Sequence, residues 1–217
     1  KVVECGISMG GGEGDVNGWD GAIEFKRAKF SEITRQNTAK VINDVLADVF
    51  CIVEAEDRPS LQSFNSELVK KKFSYSMLID ANDPRGIDIG FYSRYPLGEI
   101  RTHMFDKEGK KTIFSRDCLE VETILPSGQS LHMLCNHFKR KGYDVDGSAS
   151  EKRERQARRV AQILNRFNLE KDWVVVAGDF NDNPNSPSLK PLLSVKNLYD
   201  VLSLQYPDQP LKRWTYH

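Results

Sequence analysis

Three apolar runs in this chain end in polar side chains suited to catalysis, and that pattern narrows the folds open to it. Asp48–Val53 runs into Glu54, Ser130–Cys135 into Asn136 and His137, and Trp173–Ala177 into Gly178, Asp179 and Asn181. Short apolar runs bounded by polar or turn residues read as buried strands. A carboxylate or imidazole at the end of such a strand sits on the rim of the core, where α/β proteins form their clefts.

Helical patterns lie between these runs. Thr38–Leu46 predicts a helix with Val41, Ile42, Val45 and Leu46 at core spacing, and Pro59 opens another with Leu61, Phe64 and Leu68 on one face. Tyr75–Ile79, Ile87–Ser93, Leu97–His103, Ser115–Leu125 and Gln129–Phe138 read as strands, the last two joined as a hairpin through Pro126-Ser127-Gly128. Gly147–Phe167 reads as a helix, with Ser148 and Glu151 as a capping box and Ala157, Val160, Ala161, Leu164 and Phe167 facing inward. Short helices follow near Pro187–Leu193 and Leu198–Leu204. Hairpins are too frequent for a purely parallel sheet, so the expectation is a single α/β domain over residues 1–217.

Composition excludes several classes. In 217 residues, 31 Lys and Arg balance 31 Asp and Glu, so net charge does not call for a nucleic-acid or membrane partner. With 39% hydrophobic and 29% charged residues the balance is that of a globular protein. No apolar run approaches the roughly 18–20 residues of a membrane span. Cys5, Cys51, Cys118 and Cys135 form no CxxC pair, and Cys51 and Cys135 sit in apolar runs as small hydrophobes. No G-x-S-x-G nucleophile motif occurs.

The termini are less ordinary. Val2–Ile7 reads as a strand, residues 8–20 form a Gly-rich loop without the Lys-Ser/Thr ending of a phosphate loop, and the chain stops within a strand-like run at residues 214–217. A start at Lys1 without Met or a signal h-region suggests a processed chain or a cut fragment, with a lean to an extracytoplasmic protein.

Each candidate side chain has a chemical and a structural reading. Asp179 and Asn181 are two residues apart, so in an extended segment both face one ligand while Phe180 packs inward. A carboxylate with a neutral amide can orient a water and hold a phosphoryl oxygen; equally, the pair can close a turn. Glu54 offers the oxygen that a hard cation takes, or belongs to a solvated charged loop with Glu56 and Asp57. His137 can move a proton or stabilise a phosphate as imidazolium, or serve as a hydrogen-bonded structural residue; Lys139, Arg140 and Lys141 nearby disfavour its charged form. Asp88 is the candidate acidic partner. The cations at 139–141 and 152–159 form either a phosphate-binding wall or a solvated helix face with Glu151–Arg155 and Glu154–Arg158 pairs. His103 and His132 look peripheral.

Four segments together resemble the endonuclease/exonuclease/phosphatase family, of which deoxyribonuclease I-like enzymes are the best known. They are Ile52-Val-Glu-Ala-Glu56, Arg85-Gly-Ile-Asp-Ile-Gly-Phe-Tyr-Ser-Arg94, Leu134-Cys-Asn-His-Phe-Lys-Arg-Lys141 and Gly178-Asp-Phe-Asn181, in family order. The resemblance implies a four-layer α/β/β/α sandwich of two mixed sheets and a Mg²⁺- or Mn²⁺-dependent phosphoester hydrolase. It implies Glu54 as metal ligand, Asp179 as the residue that orients or deprotonates the attacking water, and Asn181 as a donor to the phosphoryl oxygen. His137 would stabilise the transition state or assist proton transfer, while Asn136, Lys139 and Arg116 would contact substrate. The expected reaction is in-line attack of water on a phosphate ester, most readily a phosphodiester of nucleic acid. Phosphatase, lipid phosphodiesterase and non-catalytic binding module on the same fold are the alternatives. The family's N-terminal Asn strand and C-terminal Asp-His strand are not visible, and His217 does not fit the latter, so the site is expected to be incomplete at the C-terminus.

Overall fold

The structure, a computed structural model, describes residues 32–70, 72–142, 147–213 and 215. The expectations for Cys5, Val2–Ile7, the Gly-rich loop and His217 fall outside these residues.

Two sheets stack face to face. Strands β1 (Val49–Ala55), β2 (Tyr75–Ile79) and β3 (Asp88–Ser93) form the first, in the order β1-β3-β2 and antiparallel throughout. The second has the order β4-β7-β8-β9, from β4 (Leu97–Arg101), β7 (Cys118–Ile124), β8 (Ser130–His137) and β9 (Trp173–Asp179), with β8 and β9 parallel. Only the second is mixed among the described residues. A small hairpin, β5 (Lys107–Glu108) and β6 (Lys111–Thr112), lacks the apolar alternation that would mark it in sequence.

Alternation along the strands assigns each side chain to a layer. Ile89, Phe91, Leu119, Val121, Met133 and Cys135 fill the seam between the sheets, with Val49, Cys51, Met77 and Ala177 against them. On the outer face of the first sheet, Tyr92, Leu78 and Phe73 pack on Leu61 and Phe64 of α2 (Arg58–Leu68), with Ile42 of α1 (Glu32–Val45) alongside. On the outer face of the second, Cys118, Leu134 and Phe138 pack on Ala157, Val160, Ile163 and Leu164 of α3 (Ser148–Leu164). This is the expected α/β/β/α sandwich. Short helices α4 (Lys190–Leu193) and α5 (Val201–Gln205) follow β9.

Local chemistry corrects several expectations. The segments Asp48–Val53 and Trp173–Ala177, expected to be fully buried strands, are only partly buried as β1 and β9; each is an edge strand with one neighbour among the described residues. Val41, Val45 and Leu46 are exposed, because α1 turns Ala39 and Ile42 inward instead. In the polar stretch after Glu54, Asp57 caps α2 by accepting from the backbone N–H of Ser60 at 2.6 Å. The N-cap of α3 is Gly147, at φ 73°, not Ser148; the N–H of Glu151 donates to the carbonyl of Gly147 at 3.0 Å. The inward face of α3 includes Arg153 and Gln156, which the apolar stripe did not suggest. No helix among the described residues is long and apolar enough to cross a membrane.

Candidate active site

At one end of the seam three strand ends converge. His137 continues the row of Met133 and Cys135 on β8, and Asp179 continues that of Ala177 on β9; the two are register partners in the parallel pair. By the same alternation Glu54 would follow Phe50 and Ile52 toward α2, away from the seam. A bulge prevents this. Val53 pairs with Ile89 and Ala55 with Asp88, which leaves Glu54 as the extra residue, at φ 60°. Bulges re-aim a side chain at a strand end. As a result the Nε2 of His137 lies 3.9 Å from Glu54 Oε1 and 3.9 Å from Asp179 Oδ2.

The second feature is the turn after β9. Asp179 Oδ1 accepts from the backbone N–H of Asn181 at 2.8 Å, and Asn181 sits at φ 52°. The Asn181 side-chain amide donates to the carbonyl of Phe138 at 3.2 Å, while Phe180 packs edge-on against the Phe138 ring. The turn reading and the ligand-facing reading of this pair are therefore compatible. One carboxylate oxygen holds the turn, and the other faces His137.

The electrostatics divide the site into a buried base and two exposed acids. His137 is 2% exposed as a residue, whereas the side chains of Glu54 and Asp179 are 65% and 50% exposed. Burial, then the nearby Arg116 cation, pushes the His137 pKa below its ordinary value, with Asp179 and Glu54 opposing. A neutral imidazole is the form in place at neutral pH. The cations that set this balance are Arg116 and Arg85, not the Lys139–Lys141 run.

Arg116 does its work from below. It is buried, donates through Nη1 to the carbonyl of Phe138 at 2.9 Å, and pairs through Nε with Asp83 Oδ2 at 2.8 Å. The same Phe138 carbonyl receives Asn181, which ties Arg116 to the turn. Asp83 and Arg85 were not singled out in sequence. Arg85 forks onto Asp83 at 3.0 and 2.9 Å, and this hydrogen bonding, ahead of the opposing effect of burial, holds the Asp83 carboxyl far below the usual range. The Asp-Pro-Arg-Gly turn that opens the Arg85–Arg94 segment was the available signal.

Two other candidates lie elsewhere. Asn136 is completely buried and donates to the carbonyl of Leu134 at 2.9 Å, on the opposite face of β8 from His137. Adjacent strand residues point to opposite faces, so Asn136 and His137 do not share a face of β8. Asp88 accepts from the backbone N–H of Ala81 at 2.8 Å and stands in the row of Gly90 and Tyr92, facing α2. The carboxylates beside His137 are Glu54 and Asp179. Lys139 is exposed two residues beyond His137, its backbone N–H held by Gln156 at 2.9 Å.

The basic wall largely resolves into pairs. Arg153 points inward, 2.8 Å from the buried carboxylate of Asp182. Arg155 lies 3.8 Å from Glu151, Arg158 2.6 Å from Glu154, and both reach Glu108 of the β5–β6 hairpin; Arg159 meets Asp106 at 2.7 Å. Lys152 donates to the hydroxyl of Ser115 at 2.6 Å. His103 bridges Asp106 and Glu120 and takes no part in the site.

Among the described residues no three His, Cys, Asp or Glu side chains are arranged to hold a metal. Mg²⁺ asks for less, since it keeps several waters and uses one or two carboxylates with substrate phosphate. Exposed Glu54 beside Asp179 fits that demand, and a neutral His137 does not repel the cation.

Comparison with known proteins agrees with this architecture. Residues 18–204 match the model of the Endonuclease/Exonuclease/phosphatase family. A phospholipase C of Staphylococcus aureus is 24% identical over 172 residues, 71% of this chain and 52% of the relative, so the chain spans about half its length. A Staphylococcus aureus beta-toxin variant with bound magnesium ions superposes with a TM-score of 0.57 at 21% identity, over 80% of this chain and 72% of the toxin. Sphingomyelinase C from Streptomyces griseocarneus gives 0.54 at 15% identity, over 81% and 73%. Both likenesses are to the same sandwich. With the family match covering most of its length and the strand ends gathered at one edge of the seam, the chain belongs to the Endonuclease/Exonuclease/phosphatase family.

Proposed function

We propose that this chain is a divalent-metal-dependent phosphodiesterase whose centre is Glu54, His137, Asp179 and Asn181. The observation that carries the reading is the approach of two exposed carboxylates, from different sheets, to one imidazole nitrogen at 3.9 Å. Glu54 would hold Mg²⁺ or Mn²⁺, which supplies charge neutralisation at the phosphoryl oxygens. Asp179 orients the attacking water and draws off its proton. Asn181, its amide already steered by the Phe138 carbonyl, donates to the phosphoryl oxygen. His137, neutral and desolvated, is placed to take that proton over from Asp179 at Nε2 and pass it to the ester oxygen as it leaves. Buried Arg116 and exposed Arg85, both held on Asp83, add positive charge near His137.

Two substrate classes remain on this site. The name of the phospholipase C relative favours a lipid phosphodiester. The positive charge of Arg116 and Arg85 near His137 suits the phosphates of a nucleic-acid chain, and we take nuclease as the leading reading. Hydrolysis of bis(p-nitrophenyl) phosphate with Mg²⁺, abolished by EDTA and by Asp179→Ala, tests the chemistry without presuming the substrate. Activity that survives both treatments rules the reading out.

A further inference from the structure

No hydrogen bond aims the imidazole of His137. Among the described residues its buried Nδ1 has no hydrogen-bond partner, and Nε2 faces Glu54 and Asp179 at 3.9 Å, beyond hydrogen-bond reach. A working histidine is ordinarily oriented through the bond that its second nitrogen makes. Here packing and the backbone that carries the ring are left to do so, and that backbone is held on every side. The N–H of Phe138 donates to the carbonyl of Asp179 at 2.8 Å, and the Phe138 carbonyl accepts from Arg116 at 2.9 Å and from Asn181 at 3.2 Å. The N–H of Lys139 donates to Gln156 Oε1 at 2.9 Å, and the Lys139 carbonyl accepts from Arg153 Nη1 at 3.4 Å. All the backbone polar groups of the two residues after His137 are thus taken.

The bonds to Lys139 are the unexpected ones. Lys139 is exposed, where water serves a peptide group as well. Gln156 and Arg153 reach it instead from the inward face of α3, each 1% exposed, among Ala157, Val160 and Leu164. An amide or guanidinium taken out of water is costly unless it is hydrogen-bonded, and apolar side chains of like volume often pack as well. Arg153 also joins the second strand end, since its Nε lies 2.8 Å from Asp182, one residue past Asn181. One face of α3 therefore grips the ends of both β8 and β9, the strands that carry His137 and Asp179.

We propose that Gln156, with Arg153 beside it, is a positioning residue of the active site: it fixes the backbone that follows His137 and so holds the imidazole between Glu54 and Asp179. The proposal rests on the phosphodiesterase reading and deepens it. Gln156 touches neither substrate nor metal in this scheme and acts through the peptide of Lys139. Displacing a reacting group by about 1 Å costs on the order of a hundredfold in rate, so a helix side chain behind the strand can govern turnover.

Gln156→Met keeps the volume and removes the acceptor, whereas Gln156→Glu keeps an acceptor for the Lys139 N–H. Urea unfolding first shows each variant to be folded. With bis(p-nitrophenyl) phosphate and Mg²⁺, the methionine variant is expected to lose about a hundredfold in kcat with KM within about twofold, and the glutamate variant to stay within about threefold of wild type. In metal-free protein, the imidazole NMR signals of His137 are expected to move in Gln156→Met and to return in Gln156→Glu, while those of His103 and His132 stay in place. A role in stability alone would lower the urea midpoint and leave the His137 signals where they are. Unmoved His137 signals in folded Gln156→Met overturn the proposal, and so does a glutamate variant as displaced as the methionine one. Should Gln156→Met not fold, Gln156→Leu is read in its place. Hydrolysis by the wild type reads the parent proposal separately: its absence, with the His137 signals still dependent on Gln156, sinks the hydrolase and leaves the brace on His137 standing.

Discussion

A methyl group on Gly178 would lie 1.8 Å from the carbonyl oxygen of Asn136, its partner across the parallel β8–β9 pair. Gly178 also sits at φ 129°, a conformation that side-chain-bearing residues rarely adopt. Both constraints fall one residue before Asp179. Gly178→Ala is therefore expected to force β9 away from β8, cost about 3 kcal/mol or more in stability, and displace the carboxylate from His137. Urea unfolding with a parallel assay of phosphodiester hydrolysis reads both effects. A variant as stable and as active as wild type would show that the close approach is not required.

Glu54 presents the opposite case, a residue at φ 60° whose side chain faces largely into solvent. Its carboxylate is mostly exposed, so Glu54→Gln should leave stability within about 0.5 kcal/mol. Partners that merely orient a ligand cost roughly 10–100-fold in metal affinity when lost, and a direct ligand should cost at least about that. Isothermal titration with Mg²⁺ measures it. Equal affinity in wild type and variant would remove Glu54 from the metal site.

The sequence made the strand ends legible because an apolar run followed by a polar residue survives without tertiary information. Gly178 to Asn181 and the seam position of His137 follow from that pattern. Alternation, also readable in sequence, already set Asn136 apart from His137 and turned Asp88 toward α2 with Gly90 and Tyr92. Glu54 is different. Its presence in the cleft depends on a bulge between Val53 and Ala55 that no Gly or Pro announces, and strict alternation points it the wrong way. Arg153 was hidden for a related reason. A cation in the first turns of a helix looks solvated until the partner that buries it, Asp182, is brought up by the turn beyond Asn181.

Arg153 and Asp182 form a pair with side chains only 1% and 2% exposed. Arg153 also donates to Ser150 Oγ at 3.0 Å, and Asp182 also accepts from Ser186 at 2.8 Å and from Lys141 at 3.2 Å. Removing one charge strands the other in low dielectric. Arg153→Met and Asp182→Asn should each destabilise by about 3–5 kcal/mol, and the double variant by much less than their sum. Chemical denaturation of the four proteins closes the cycle, and additive losses would refute a coupled pair.

Asp83 supplies a dependence on acid whose sign can be stated in advance. The Arg85 hydrogen bonds hold its folded pKa far below the unfolded value of about 3.9, despite burial. Below the unfolded pKa the unfolded chain binds a proton that the folded chain refuses, so stability falls as pH falls. The contribution is fully present above about pH 5 and is lost progressively as the solution is acidified. Other carboxylates titrate in the same window, among them Asp182, so the informative quantity is the difference between wild type and Asp83→Asn. That variant should be less stable by about 2 kcal/mol at pH 6, since two guanidinium groups lose their shared acceptor. The gap should narrow on titration toward pH 2.5, as wild-type Asp83 gives up its advantage. Urea midpoints at intervals of pH measure the gap, and one that stays constant across the range would show that Asp83 does not carry the charge that holds Arg85 and Arg116.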